Sequence, residues 1–490
     1  MEEKWLIYLL LFISAKQTHQ QAMCSYGGRG SLSSICTNAN AAYFRKTSYR
    51  FDNLDETVRC VNCNLQVIEG GTFDLPGNQI KYLDLENSQI TVLKPKSFIG
   101  LVFLKKLNLQ NNHIGGVPPE TFQGITKVDT LRLDGNSIKT LSSYGFKELT
   151  DLKTLNLSSN KIQTIEFSAF SGLVNLEVLE LSNNEITRLN HKLDDLSKVY
   201  SINLKNNKIY RIYNDDLNLN SLIDLNLANN KIATIDKDGF FQLPRLQNLN
   251  LSSNLIETLQ LGAFRGLDSL EELDLSRCIL RYVPKGLLKS LHRLRILELA
   301  YNRLTAFETG SFSGLPELRE LNVSHNKIEM YKKTGVLTLR NLHVLDLSFN
   351  NLKDIDYNTL VQHLPALSYL ELENNPWPCY LKKEMEDLFA HDNFAFNLGL
   401  VPKDACEDSR PNTTTAPVEK TVVSTTSRTV MYVSSRGGHV YVLYVFMVFL
   451  IITMAFLFYL QYRARQEIGT FLGRSDISET QLLSNHPDTY

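Results

Sequence analysis

The chemistry this sequence could hold is first a question of its seven cysteines: Cys24, Cys36, Cys60, Cys63, Cys278, Cys379 and Cys406. Cys60-x-x-Cys63 has the spacing of a thiol–disulfide redox pair, or of half a zinc site. A redox pair would sit in a thioredoxin-like setting, which the flanking residues do not supply. Zinc would need two further ligands close by and a reducing compartment. Four cysteines in one irregular N-terminal stretch instead suit two structural disulfides in an oxidising compartment, with three connectivities open. The 10 histidines are scattered, without a paired-His metal motif, and no glycine-rich phosphate loop occurs. Carboxylates such as Asp274, Glu298 and Asp346 sit at outward strand positions, where a charge most simply meets solvent. These residues predict neither an enzyme nor a cofactor or metal site.

Two other sets of residues point to recognition and modification. N-x-S/T sequons occur at Asn156, Asn250, Asn322 and Asn412, so the chain is expected to be a glycoprotein. Toward the C-terminal side Ile296, Tyr301, Val344, Phe349 and Tyr369 all fall on outward positions, with His325 between Tyr301 and Phe349. Apolar side chains on a solvated face call for a partner, so these six residues are the candidate ligand-binding site. With strands ~4.8 Å apart the patch would be roughly 15 Å across. A glycan on Asn322 would cover it. The outward residues near the start are basic (Lys81, Lys105, Lys106, Arg132, Lys153), and those in the middle acidic (Glu177, Glu180, Asp224, Glu271, Glu272, Asp274).

What positions these residues is a repeat. Ile80-x-x-Leu83-x-Leu85-x-x-Ser88-x-Ile90 returns as Leu104-x-x-Leu107-x-Leu109-x-x-Asn112-x-Ile114, and again from Val128, Leu152, Leu176, Val199, Leu222, Leu246, Leu270, Leu294, Leu318, Leu342 and Leu367. The 13 copies step by 24 residues, with two steps of 23 and one of 25. In Leu155-Asn156-Leu157 the period of two turns both leucines inward and Asn156 outward. So short a strand cannot bury its apolar face alone; stacked coils make a parallel sheet over a continuous core. A ladder of Asn from Asn112 to Asn375, replaced by Ser88 and Cys278 in two copies, can satisfy buried backbone groups in the inward turn. Phe73, Phe98, Phe122, Phe146, Phe170, Phe264 and Phe312 recur on the other side and predict a stack there. The copies between Asn190 and Leu222 lack that Phe and are shorter, which predicts looser packing.

This pattern resembles the leucine-rich repeat family. The predicted fold class is therefore an α/β solenoid, a curved leucine-rich repeat horseshoe with a parallel concave sheet, disulfide caps and one transmembrane helix. In order, the expected organisation is a signal peptide at 1–22, a Cys-containing cap at 23–79, 13 repeats at 80–377, a C-terminal cap at 378–406, a Ser/Thr-rich stalk at 407–439, a membrane span at 440–460 and a short cytoplasmic tail at 461–490. Asn375-Pro376-Trp377-Pro378-Cys379 resembles the opening of the C-terminal cap of animal extracellular leucine-rich repeat proteins, and the resemblance implies a Cys379–Cys406 bridge. Leu381, Met385 and Leu388 fall on one face of a short helix there. Cys278, left over, reads as a buried free thiol.

Over residues 60–406 the chain is similar to single-pass cell-surface members of the family, such as Toll-receptor ectodomains and insect adhesion proteins, without a Toll-type cytoplasmic domain. That resemblance implies a receptor or co-receptor for a protein, glycan or microbial ligand, as in innate immunity, acting through a signalling co-receptor; the alternative is homophilic or heterophilic cell adhesion. A net charge of −1 argues against nucleic acid as a partner. The apolar run at 5–15 reads as a secretory signal and is too short to span a bilayer. Residues 440–460 carry no charge, are long enough to cross ~30 Å of hydrocarbon, and precede Arg463 and Arg465. The positive-inside rule then places the chain in the plasma membrane with its N-terminus outside. A tag inserted after Ala22 should be labelled by antibody on intact cells, and a C-terminal tag only after permeabilisation; the reverse pattern would overturn this topology.

Overall fold

The alternation of the L-x-L segments appears as a stack of three-residue strands. The computed structural model describes residues 23–26, 32–45 and 55–399, apart from breaks at 75–76, 215, 308–309, 330–338, 357–359, 361 and 390–394. The expected signal peptide, stalk, membrane span and tail, with Cys406 and Asn412, lie outside the described residues. Among the described residues no helix is long and apolar enough to cross a membrane.

Strands run parallel from Thr57–Val61 through Tyr82–Asp84 to Tyr369–Glu371, each paired with the next coil. The register aligns the inward residue of every strand: Leu83 with Leu107, Leu107 with Leu131, and so on to Leu345 with Leu370. These residues are almost fully buried and form one continuous core. Register is fixed because a slip by one residue would turn every leucine to solvent. Two-residue strands pair behind the sheet at Val67–Ile68 with Val92–Leu93, Thr140–Leu141 with Thr164–Ile165, and Arg211–Ile212 with Thr234–Ile235.

The side opposite the sheet is built from turns. The α/β expectation needs correction there: among the described residues helix is confined to Ala41–Arg45, Cys379–Phe389 and a short turn around Leu360. A repeat of 24 residues leaves room for tight turns and paired strands, not for a helix in each coil. The expected phenylalanine stack is present, with ring centroids 5.8–6.4 Å apart from Phe73 to Phe170 and planes within 14° of parallel. Offset aromatic pairs contribute ~0.5–1.5 kcal/mol each beyond burial. Phe44 heads the stack and Phe240 packs on Phe264, two members that the sequence pattern had not supplied. Looser packing between Asn190 and Leu222 is not found. Leu193, Leu196, Leu217 and Leu219 fill the space with at most 2% of their surface exposed. Branched aliphatic side chains replace the ring volume that the shorter coils cannot hold.

The N-terminal stretch is more regular than its sequence suggests. Val58 aligns with Leu83, which places Cys60 at the inward leucine position and Cys63 at the ladder position of an additional coil. Ser33–Thr37 adds a further strand parallel to Thr57–Val61, and Met23–Tyr26 closes the edge as an antiparallel hairpin partner. The disulfides are Cys24–Cys36 and Cys60–Cys63. At the far end Ala395–Asn397 adds a last parallel strand to Tyr369–Glu371. The helix Cys379–Phe389 buries Met385 and Phe389 beneath it, with Leu381 packed partly against the core. Cys379 is disulfide-bonded.

The ladder holds the coils to one another. Asn254 donates from Nδ2 to the carbonyls of Leu251 at 2.8 Å, Ser252 at 3.3 Å and Leu227 of the preceding coil at 3.0 Å, and accepts the Ile232 N–H at 2.9 Å. Cys278 holds the same place with its Sγ 3.5 Å from the Leu251 carbonyl, and burial pushes its thiol up to about 11. Each buried backbone group left unmet costs ~1–3 kcal/mol. Asn254→Ala should therefore lower the thermal midpoint strongly and reduce the yield of folded chain. Cys278→Ser, which follows Ser88, should be tolerated. Equal damage from the two substitutions would refute this account of the ladder.

Candidate ligand-binding surface

Each strand leaves four positions facing away from the core, and their chemistry follows from how the chain must turn. At the middle of the strand an Asn or Asp side chain accepts the N–H two residues on, as in Asn108 to Gln110 at 3.1 Å, Asn156 to Ser158 at 3.0 Å and Asp274 to Ser276 at 2.9 Å. The chain then passes through one left-handed residue before the ladder Asn. Asn87, Asn111, Asn183, Asn206, Asn229 and Asn374 occupy that position with φ of 54–58°. Asn is suited to it, because its short amide tolerates a conformation that other side chains resist.

Four successive coils break this preference. Arg277, Tyr301, His325 and Phe349 stand at the left-handed position with φ of 54°, 57°, 53° and 50°. Their side chains form one column. The Arg277 guanidinium lies 4.1 Å over the Tyr301 ring, and the Tyr301–His325 and His325–Phe349 centroids are each 4.0 Å apart with planes within 13° of parallel. Tyr301 and Phe349 keep 43% and 40% of their surface exposed, so the column stands as a ridge on the sheet face. Of the six candidate residues, the structure thus brings Tyr301, His325 and Phe349 into contact. Ile296, Val344 and Tyr369 lie in the parallel row at the start of the strands, half-buried, with Glu320 between Ile296 and Val344. The Tyr369 hydroxyl donates to Glu371 at 2.6 Å. Sequence reading missed Arg277 and Glu320, and the one available signal was their position in the repeat frame.

Between ridge and row lie Asp274, Glu298, Asn322, Asp346 and Glu371, one from each coil, flanked by the small buried residues Ala300, Ser324 and Ser348. These carboxylates are not the solvated face that their outward positions predicted. Neighbouring coils stack tightly enough to remove water from their flanks. Burial, compounded by Asp274 and Asp346, pushes Glu298 up to about 7, and burial raises Asp346 and Glu371 as well. Four of the five outward cations near the start of the array are, by contrast, matched locally. Lys81 pairs with Glu56 at 2.6 Å, Arg132 with Asp134 at 3.0 Å and Lys153 with Glu177 at 3.1 Å, while Lys106 lies 5.7 Å over Tyr82. Among the described residues no group of three or more His, Cys, Asp or Glu is arranged to hold a metal ion.

The sequons Asn156, Asn250 and Asn322 are half-buried on the sheet face. Each accepts at its Oδ1 the N–H of the sequon's own serine, at 3.0 Å for Ser158, 2.9 Å for Ser252 and 3.0 Å for Ser324. Asn322 also hydrogen-bonds the Glu298 carboxylate.

Glu298 gives this surface a pH signature. A carboxyl whose folded pKa lies above its unfolded value holds its proton more tightly when folded, so the stability it contributes is full below 4.5 and is lost as pH rises through about 7. The thermal midpoint of the wild-type chain should fall across that window, and Glu298→Gln should flatten the fall. Identical pH profiles for wild type and Glu298→Gln would show that the carboxylate is solvated after all.

The Leucine rich repeat sequence model matches residues 57–114, 103–162, 150–209, 220–280 and 270–328, together more than half of the chain, and a second such model matches 338–355. No curated protein sequence matches the chain. Among solved structures, a chain of the Drosophila Toll–Spatzle complex is similar at 21% identity and a TM-score of 0.60, over 70% of this chain and 46% of that one. The APL1 leucine-rich repeat domain is similar at 21% identity and 0.56, over 74% and 92%. The Leptospira interrogans leucine-rich repeat protein LIC12759 is similar at 22% identity and 0.52, over 74% and 89%. At such identities these structures share the fold with this chain and nothing finer. The inward leucines, the asparagine ladder, the coil-by-coil register and the family match lead to one statement: this chain belongs to the leucine-rich repeat family.

Proposed function

We propose that the chain is a cell-surface recognition receptor or co-receptor that binds a protein ligand on the sheet face, at the ridge formed by Tyr301, His325 and Phe349. The observation that carries this reading is the bulky quartet at the left-handed position. The left-handed conformation costs roughly 1–2 kcal/mol for an ordinary L-residue, and the other described coils meet it with Asn, Gly135 or a serine, not with a bulky side chain. Strain kept on an exposed surface by four consecutive coils, and used to erect stacked rings, suits a site rather than a scaffold. Ile296, Val344 and Tyr369 supply the opposite wall. The 21-residue uncharged span at 440–460 and the flanking arginines support a single-pass placement in the plasma membrane, with the repeats outside. The similarity to a chain of the Toll–Spatzle complex, a hub in Drosophila development and innate immunity, is compatible with ligand recognition by this architecture.

Tyr301→Ala with Phe349→Ala should weaken a ligand captured from a displayed library of secreted proteins by at least about tenfold, with the thermal midpoint kept near wild type. Unchanged affinity would move the site elsewhere on the array. Glycopeptide mass spectrometry should find Asn322 unoccupied, because a glycan there would cover the floor between ridge and row. Cells expressing the chain should not clump with one another. Clumping confined to expressing cells would favour the adhesion alternative.

A further inference from the structure

The ridge and the opposite row enclose a floor whose charge is one-sided. Asp274, Glu298, Asp346 and Glu371 lie along it, each half-buried or more, and among the described residues none of the four is in an ion pair. The floor continues toward the middle of the array into a shallow depression of about 530 Å³, which adds Glu180, Asp224 and Glu272 to Asp274 and Glu298. The rest of that lining is amide, hydroxyl or aliphatic; no Lys or Arg contributes. Arg277 stands at the head of the ridge, and its guanidinium is laid over Tyr301.

The contrast with the other end of the same sheet is informative. There the outward cations Lys81, Arg132 and Lys153 each have a carboxylate of this chain within 3.1 Å. A sheet face that pairs Lys81, Arg132 and Lys153 with its own carboxylates at one end and leaves a row of half-buried carboxylates outside those ion pairs at the other is complementary to something positive. The apolar ridge sets the size and shape of that something. Tyr301 and Phe349 present partly open ring surface along two strand spacings of ~4.8 Å. Long side chains with an aliphatic stem and a charged head match this pair of features: the stem lies against the rings and the head reaches the floor.

We propose that the groove between the ridge and the Ile296–Tyr369 row docks a basic segment of a protein partner, with Arg or Lys side chains seated over Glu298 and Asp346 and their stems against Tyr301 and Phe349. This rests on the ridge being the ligand site. Carboxylates alone would attract any cation. The ridge selects a polypeptide, since stems and backbone need an apolar wall. Arg suits the floor better than Lys, because its planar fork can span two carboxylates on neighbouring coils. Glu298 binds a proton more readily than an ordinary carboxyl, so binding should weaken as pH falls through about 7.

The test uses the full chain and a random peptide library. Selected peptides are sequenced, then measured against wild type, against Tyr301→Ala with Phe349→Ala, and against Glu298→Gln with Asp346→Asn. The last pair keeps size and hydrogen-bonding capacity while removing charge, and melting curves check that every variant is folded. The expected result is a set of peptides enriched in Arg and Lys. Their affinity should drop about tenfold or more in both double variants and fall with added salt. Peptides that depend on Tyr301 and Phe349, yet show no basic enrichment or bind the Glu298→Gln, Asp346→Asn chain equally well, would overturn the basic partner and leave the ridge as the site. Peptides that bind all three chains alike would overturn both.

Discussion

Everything in this structure hangs on the side-chain amide of the ladder asparagine. In Asn112 the Nδ2 donates to Leu85, Leu109 and Gln110 carbonyls at 2.9–3.1 Å, while Oδ1 accepts the Ser88 and Ile90 N–H groups at 2.9 and 3.0 Å. Two coils are thereby tied by one buried side chain, at the point where the chain turns inward and water cannot follow. A three-residue strand supplies few backbone bonds of its own, so without this amide the turn would leave several polar groups unmet. The repetition from Asn112 to Asn375 converts a local necessity into a register that holds along the whole array.

That constraint propagates to the surface. The inward turn at the ladder position, whether Asn, Ser or Cys fills it, puts the residue before it into the left-handed region, coil after coil, from Asn62 to Asn374. Most coils meet the demand with Asn, Gly135 or a serine. Arg277, Tyr301, His325 and Phe349 meet it with bulk, and the identical backbone geometry then aligns their side chains at the coil spacing. The aromatic ridge is a consequence of the ladder: side chains placed at one frame position with one backbone conformation have to stack.

The same close spacing changes the electrostatics of the middle strand position. Its Asn or Asp accepts the N–H two residues on, which draws the side chain down onto the sheet. Where the residue is acidic in neighbouring coils, burial and like charge act together. Glu298 shows both, with Asp274 and Asp346 beside it. Residues whose outward position suggests a solvated charge end up half-buried beside the aromatic ridge.

The sequence by itself determined the coil. Leu at period two, the ladder Asn and the step of 24 residues leave only one way to bury the leucines and satisfy the turn, so the parallel register from Leu83 to Leu370 was legible in advance. The adjacency of Tyr301, His325 and Phe349 was legible for the same reason, since equal frame positions in successive coils must be neighbours. Other features were decided only in three dimensions. Cys60 and Cys63 belong to a coil because Val58 pairs with Leu83, a fact hidden by thiols standing where leucine and asparagine are expected. Leu193 and Leu217 fill the gap in the phenylalanine stack because volume, not residue type, is what close packing requires. The half-burial of Glu298 and Asp346, and the place of Arg277 at the head of the ridge, depend on how near the next coil comes. Spacing along a chain states which residues are neighbours; only the packed structure sets how much water remains between them.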